Sequence, residues 1–129
     1  GVQIGSRFVA SLESSAHENF KNAVCEAKEG DTMLTLKELT PVRLLKSPFF
    51  HAVNEAYEKG ASLEELKTLL GRGRAKKGMF LGETQEGELE IGQISANIDE
   101  IKSAKEIIDE IIAEYQTELE KRTSNKYNF

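Results

Sequence analysis

Three Ser-x-x-Glu spacings, Ser15/Glu18, Ser62/Glu65 and Ser103/Glu106, constrain this chain more than any other feature. At each, the serine hydroxyl can accept from the backbone N–H three residues on. The glutamate reaches back to the serine N–H, so two donors left open by a helix start are satisfied together. The spacings predict helices from Ala16 to about Lys28, from Leu63 to a stop at Gly71, and from about Ala104 to Arg122. The first places Phe20, Ala23, Val24 and Ala27 on one face. The last carries a stripe of Ile107, Ile108, Ile111, Ile112, Tyr115 and Leu119 at helical period, read as ordinary core packing. Pro48 suits the opening of a further helix, Phe49 to Lys59, closed by Gly60.

Strand signals are few. Val2 to Ser6 reads as a short strand ending in a Gly-Ser turn, and Thr32 to Leu36 alternates and is rich in β-formers. Pro41 opens a predicted helical turn through Val42, Leu44 and Leu45. Six glycines (71, 73, 78, 82, 87 and 92) punctuate a loop with one helical turn around Ala75 to Met79. Gly92-Gln93-Ile94-Ser95 then enters a short helix, and residues 123–129 read as a frayed tail. The expected organisation is a strand, turn and helix over residues 1–30, then a mainly helical region over 31–129 with its glycine-rich loop at 71–92. Gly1 opens inside what reads as a strand, with no methionine before it, so the expectation is a piece of a longer protein.

The longest apolar runs are four or five residues, which speaks against a membrane partner. Acid and base are interspersed around a net charge of −5, which gives no reason to expect nucleic acid. Cys25, the one cysteine, lies in an apolar helical stripe and reads as a small buried hydrophobe in a reducing, cytoplasmic setting. His17 and His51 have no further ligand at metal spacing, so no metal site is expected. Arg72, Arg74, Lys76 and Lys77 form the one basic cluster, either a solvated turn or an anion-facing loop.

The segment with chemical content is Gln3-Ile4-Gly5-Ser6. Gly5 lets backbone N–H groups approach a phosphate with no Cβ in the way, and Ser6 adds a hydroxyl donor. On these residues alone a simple tight turn is the favoured account of the pattern, ahead of phosphate binding.

The wider segment, Gly1-Val2-Gln3-Ile4-Gly5-Ser6-Arg7-Phe8-Val9-Ala10-Ser11 with Glu13-Ser14 and His17, closely resembles the last barrel strand of the nitronate monooxygenase family. That family was formerly called 2-nitropropane dioxygenase and includes the flavin-dependent enoyl-acyl-carrier-protein reductases. Ser6 stands where threonine is commoner, which keeps the hydroxyl. Thr40-Pro41-Val42-Arg43-Leu44-Leu45-Lys46 and Gly92-Gln93-Ile94-Ser95-Ala96 are similar to later stretches of the same family, in the same order.

The resemblance implies an α/β parent: the last strand of a TIM-type (β/α)8 barrel followed by a mainly helical C-terminal region, the present residues being mostly α. It implies an oxidoreductase in which flavin mononucleotide (FMN) has its phosphate held by Gln3, Ile4, Gly5 and Ser6. NAD(P)H is an implied co-substrate, beside a small-molecule or acyl-thioester substrate. The family's catalytic residues come from earlier strands, so none is assigned here and this chain alone is expected to be inactive. Self-association through the unpaired strand or the terminal helix is a further expectation. The alternative reading is an independent helical interaction module without cofactor.

Overall fold

Two of the three Ser-x-x-Glu pairs close as reciprocal caps in the computed structural model, which describes residues 1–123. Its elements are α1 (Ser6–Val9), α2 (Glu18–Glu26), β1 (Thr32–Thr35), β2 (Val42–Leu45), α3 (Pro48–Glu58), α4 (Leu63–Leu70), a π-helical turn (Lys76–Phe80), a 3-10 turn (Gln93–Asn97) and α5 (Ala104–Thr123). Glu65 Oε2 accepts from Ser62 N at 2.7 Å and Ser62 Oγ from Glu65 N at 3.4 Å, starting α4. Ser103 N donates to Glu106 Oε2 at 2.9 Å and Glu106 N to Ser103 Oγ at 3.2 Å, starting α5.

The Ser15/Glu18 pair does not form. His17 caps α2 instead, its Nδ1 accepting from Asn19 N at 3.1 Å. The reason is tertiary: His17 N donates to Met79 O at 2.7 Å, which holds His17 extended and delays the helix by two residues. At the other end Ala27 is again extended, so α2 stops before the expected Lys28.

The strands correct two further expectations. Residues 1–5 form no strand here, and the chain turns directly into α1, with Phe8 N donating to Gly5 O at 3.0 Å. A lone strand leaves its N–H and C=O groups unpaired, and no neighbouring strand lies beside residues 1–5 among the described residues. The helical turn expected after Pro41 is β2, which pairs antiparallel with β1 from Thr32↔Leu45 to Thr35↔Val42. Only a strand can bury Leu44 and Leu45 on opposite sides, because successive side chains alternate.

That alternation places β2 between two cores. Leu45 joins Ala10, Phe20, Val24, Leu89, Ile91 and Ile98, while Leu44 joins Leu36, Phe49, Phe50 and Val53. The segment after the π-helical turn lies along β2: Leu45 N donates to Leu89 O at 2.9 Å and Ile91 N to Arg43 O at 3.2 Å. These bonds carry Gly92 to the start of α1. A parallel bridge from Ser11 to Lys102 fixes the entry of α5 beside the same end.

The glycine-rich stretch contains the expected helical turn, and it is tightly anchored. A Cβ on Gly78 would lie 2.2 Å from Glu88 O, and one on Gly87 would lie 2.2 Å from Gly78 Cα. In α5 only Ile107 is fully buried. Ile108, Ile112, Tyr115 and Leu119 are exposed, so the apolar stripe finds little of the packing expected of it. Of the expected tail, Thr123 ends α5 and 124–129 lie outside the described residues. No described helix is long and apolar enough to cross a membrane.

Candidate functional site

Gly5 and Ser6 sit at the start of α1, a helical turn without a side-chain cap. The first N–H groups of such a turn have no partner within it. A Cβ built on Gly5 would meet nothing within 4 Å, so this side of the backbone is open. Ser6 Oγ accepts from Gly92 N at 3.1 Å, which leaves the hydroxyl proton to donate elsewhere. Gly92 is required by that approach, since a Cβ there would stand 2.7 Å from Ser6 Oγ.

Ser6 opens onto a groove of about 570 Å³ that it shares with Pro41, Arg43, Glu90 and Gly92. Arg43 also lines a second, more polar groove with Glu29, Thr32, Gln93 and Asn97. Its Nη1 donates to Thr32 O at 3.3 Å and to Thr32 Oγ1 at 3.2 Å. Among the described residues no carboxylate lies within ion-pairing distance of this guanidinium. The structure thus brings Ser6 and Arg43 to one groove. Gln3 is exposed and Ile4 half-buried, and neither lines it.

The donor set fits a phosphate. Open N–H groups beside Gly5, a free hydroxyl proton on Ser6 and a guanidinium without a carboxylate are the groups that hold phosphoryl oxygens. Glu90 is the opposing feature, placing a carboxylate on the same groove.

The remaining candidates are structural. Burial raises the pKa of the Cys25 thiol, keeping it protonated and a poor nucleophile. His17 caps α2 and packs against Gly82, where a Cβ would come within 2.3 Å of its Nδ1. His51 is exposed, its ring edge-on to Phe50. No group of three or more histidine, cysteine or carboxylate side chains could hold a metal among the described residues. Within the basic cluster, Arg74 is consumed by structure. Its Nε donates to Leu69 O and Leu70 O, ending α4, its Nη1 donates to Glu86 O, and its guanidinium lies 4.5 Å from the centre of the Phe49 ring. Lys77 pairs with Glu86.

Sequence reasoning missed Lys21, whose buried ammonium donates to Ser11 O at 2.6 Å and ties α2 to the segment after α1. Its position between Phe20 and Val24 on the apolar face was the available signal. Glu90 was missed as well. It lies in a stretch read only as loop, and nothing local marks it as facing Ser6.

Comparisons with known proteins agree in one direction. The model of the family described as nitronate monooxygenase matches residues 1–114. A probable nitronate monooxygenase of Staphylococcus saprophyticus is 40% identical over 57 residues, which are 43% of this chain and 16% of that protein. Among solved structures, FabK from Thermotoga maritima matches with a TM-score of 0.85 and 34% identity, over 94% of this chain and 38% of that one. A point mutant of the same FabK gives 0.78 and 32%, over 94% and 36%. The chain spans less than two-fifths of the proteins it matches.

Proposed function

Because this chain belongs to the nitronate monooxygenase family, we propose that it supplies the phosphate-binding end of an FMN site in a longer oxidoreductase. The observation that carries this reading is the open backbone at Gly5 beside a Ser6 hydroxyl whose proton is free to donate. When bound, FMN supplies the electron or hydride transfer. The residues here anchor and orient: the N–H groups at Gly5 and Ser6 and the Ser6 hydroxyl hold phosphate oxygens, while Gln3 and Ile4 lie along the approach to the rest of the cofactor. The Gly92 N–H fixes the rotamer of Ser6 and so the direction of its proton.

The longer protein is read as a TIM-type barrel followed by this mainly helical region, with the catalytic groups in the part this chain does not contain. The chain alone is therefore inactive in this account. Two reactions fit this family, oxidation of a nitronate by oxygen and reduction of an enoyl thioester with NAD(P)H as co-substrate. The Gly92-Gln93-Ile94-Ser95 stretch and the helical tail resemble the enoyl reductases slightly more, which favours the second.

The test is the visible spectrum of the longer protein as purified, with the released cofactor identified by mass. Flavin absorbance between roughly 300 and 550 nm, lost when Gly5 and Ser6 are both replaced by leucine, supports the reading. A protein that binds no flavin even when it is supplied in excess overturns it and leaves the helical interaction module.

A further inference from the structure

We propose that Arg43 is the charged residue of the phosphate site, holding the phosphate monoester whose other oxygens face Gly5 and Ser6. The inference rests on the functional reading above and adds to it a residue from a different part of the chain.

The placement follows from the backbone. Arg43 O accepts from Ile91 N at 3.2 Å, and the next residue, Gly92, donates to Ser6 Oγ at 3.1 Å. Two hydrogen bonds across two adjacent residues thus connect the Arg43 backbone to the Ser6 hydroxyl, and both residues line one groove.

The electrostatics favour an anion at that place. Arg43 is half-buried, and only its Nη1 is occupied, by the two oxygens of Thr32. Thr32 carries no charge, so it steers the guanidinium without neutralising it. Structural arginines are usually matched, as Arg74 is here by three carbonyls and an aromatic face. Arg43 keeps its remaining donors for a group not in the chain, and a planar fork suits two phosphate oxygens. Glu29 lies on the other groove that Arg43 lines, and Glu90 is the one carboxylate on the groove shared with Ser6. It opposes the anion and sets an upper limit on affinity, which makes it a second handle for the test.

The test is 1H–15N NMR of the longer protein titrated with FMN, riboflavin and inorganic phosphate, reading the Arg43 Nε–H signal and the amides of Ser6 and Gly92. FMN and phosphate are expected to move all three signals, and riboflavin, which lacks the phosphate, to move none of them. Arg43→Gln should weaken FMN binding about tenfold, the scale of one charge-assisted hydrogen bond. Arg43→Lys should keep part of the affinity, and Glu90→Gln should tighten binding roughly threefold by removing the opposing charge. The glutamate variant leaves Arg43 and its contacts to Thr32 in place, so loss of folding cannot imitate its effect.

FMN that shifts Ser6 while Arg43→Gln binds within twofold of wild type overturns the Arg43 assignment and leaves the Gly5–Ser6 reading intact. Inorganic phosphate that moves Arg43, with FMN moving nothing, keeps the anion site and overturns the flavin reading. Shifts gathered at Arg72, Lys76 and Lys77 instead, or no shifts at all, overturn both.

Discussion

Replacing Gly87 with alanine tests the packing that holds the segment leading to Gly92. A Cβ at Gly87 would lie 2.2 Å from Gly78 Cα, 2.3 Å from Gly78 N and 2.6 Å from Glu83 O. All three are backbone atoms, so no side-chain rotation can relieve the overlap. Gly87 does not have a positive φ, so the cost is one of space alone. Overpacking in a filled interior costs about 1–3 kcal/mol, and backbone on every side puts this substitution near the top, at about 3 kcal/mol. For a chain of this size that corresponds to a fall in Tm of roughly 10 °C.

Two controls separate the causes. Gly60 has φ +73 but open space, so Gly60→Ala should cost about 1–2 kcal/mol through backbone strain. Gly5 has φ −111 and nothing within 4 Å, so Gly5→Ala should stay within about 0.5 kcal/mol of wild type. Thermal unfolding followed by circular dichroism gives the order directly. A Gly87→Ala protein no less stable than Gly60→Ala would refute the close approach on which the position of Gly92 depends.

Three further outcomes are expected. Burial, with the charge of Glu90 behind it, raises the pKa of Glu88, so its folded value lies above its unfolded one. Its contribution is therefore fully present below the ordinary carboxylate range and is lost as pH rises toward the raised value; Glu88→Gln should remove that decline in urea unfolding series, and an unchanged pH profile would contradict it. Ser95 Oγ is fully buried without a hydrogen-bond partner among the described residues, so Ser95→Ala should be neutral or more stable by about 1 kcal/mol in chemical denaturation, whereas a clear loss would reveal a missed partner. The exposed stripe of α5 is the proposed self-association surface, so Ile112→Glu should abolish a concentration-dependent sedimentation coefficient; a wild-type coefficient that does not vary with concentration would end that proposal.

What was legible in the sequence depended on how local its cause is. Ser62/Glu65 and Ser103/Glu106 closed as caps because each pair contains both of its partners within four residues. Ser15/Glu18 has the same letters and failed, because Met79 O captures the His17 N–H from far along the chain. Val42–Leu45 was misread for a similar reason: Pro41 suggests a helix start, but pairing with Thr32–Thr35 and burial on two sides decide otherwise. Residues 2–6 read as a strand by composition, yet a strand needs a neighbour that the described residues do not supply. Gly5 and Ser6 were visible as donors from their chemistry alone. Arg43 was visible only as part of a familiar stretch, and Glu90 not at all, since their place on the groove with Ser6 depends on two hydrogen bonds formed across the fold, Ile91 N to Arg43 O and Gly92 N to Ser6 Oγ.

The central claim is that Ser6 and the N–H groups beside it hold the phosphate of FMN. It is tested most directly by the affinities of FMN and riboflavin in the longer protein, for the wild type and for Ser6→Ala and Ser6→Thr. The account predicts a wild-type preference for FMN that falls about tenfold in Ser6→Ala, the scale of one hydrogen bond to a charged group. Ser6→Thr, which keeps the hydroxyl, should retain that preference. Equal affinities for the two flavins, or a preference that Ser6→Ala leaves untouched, would contradict the claim.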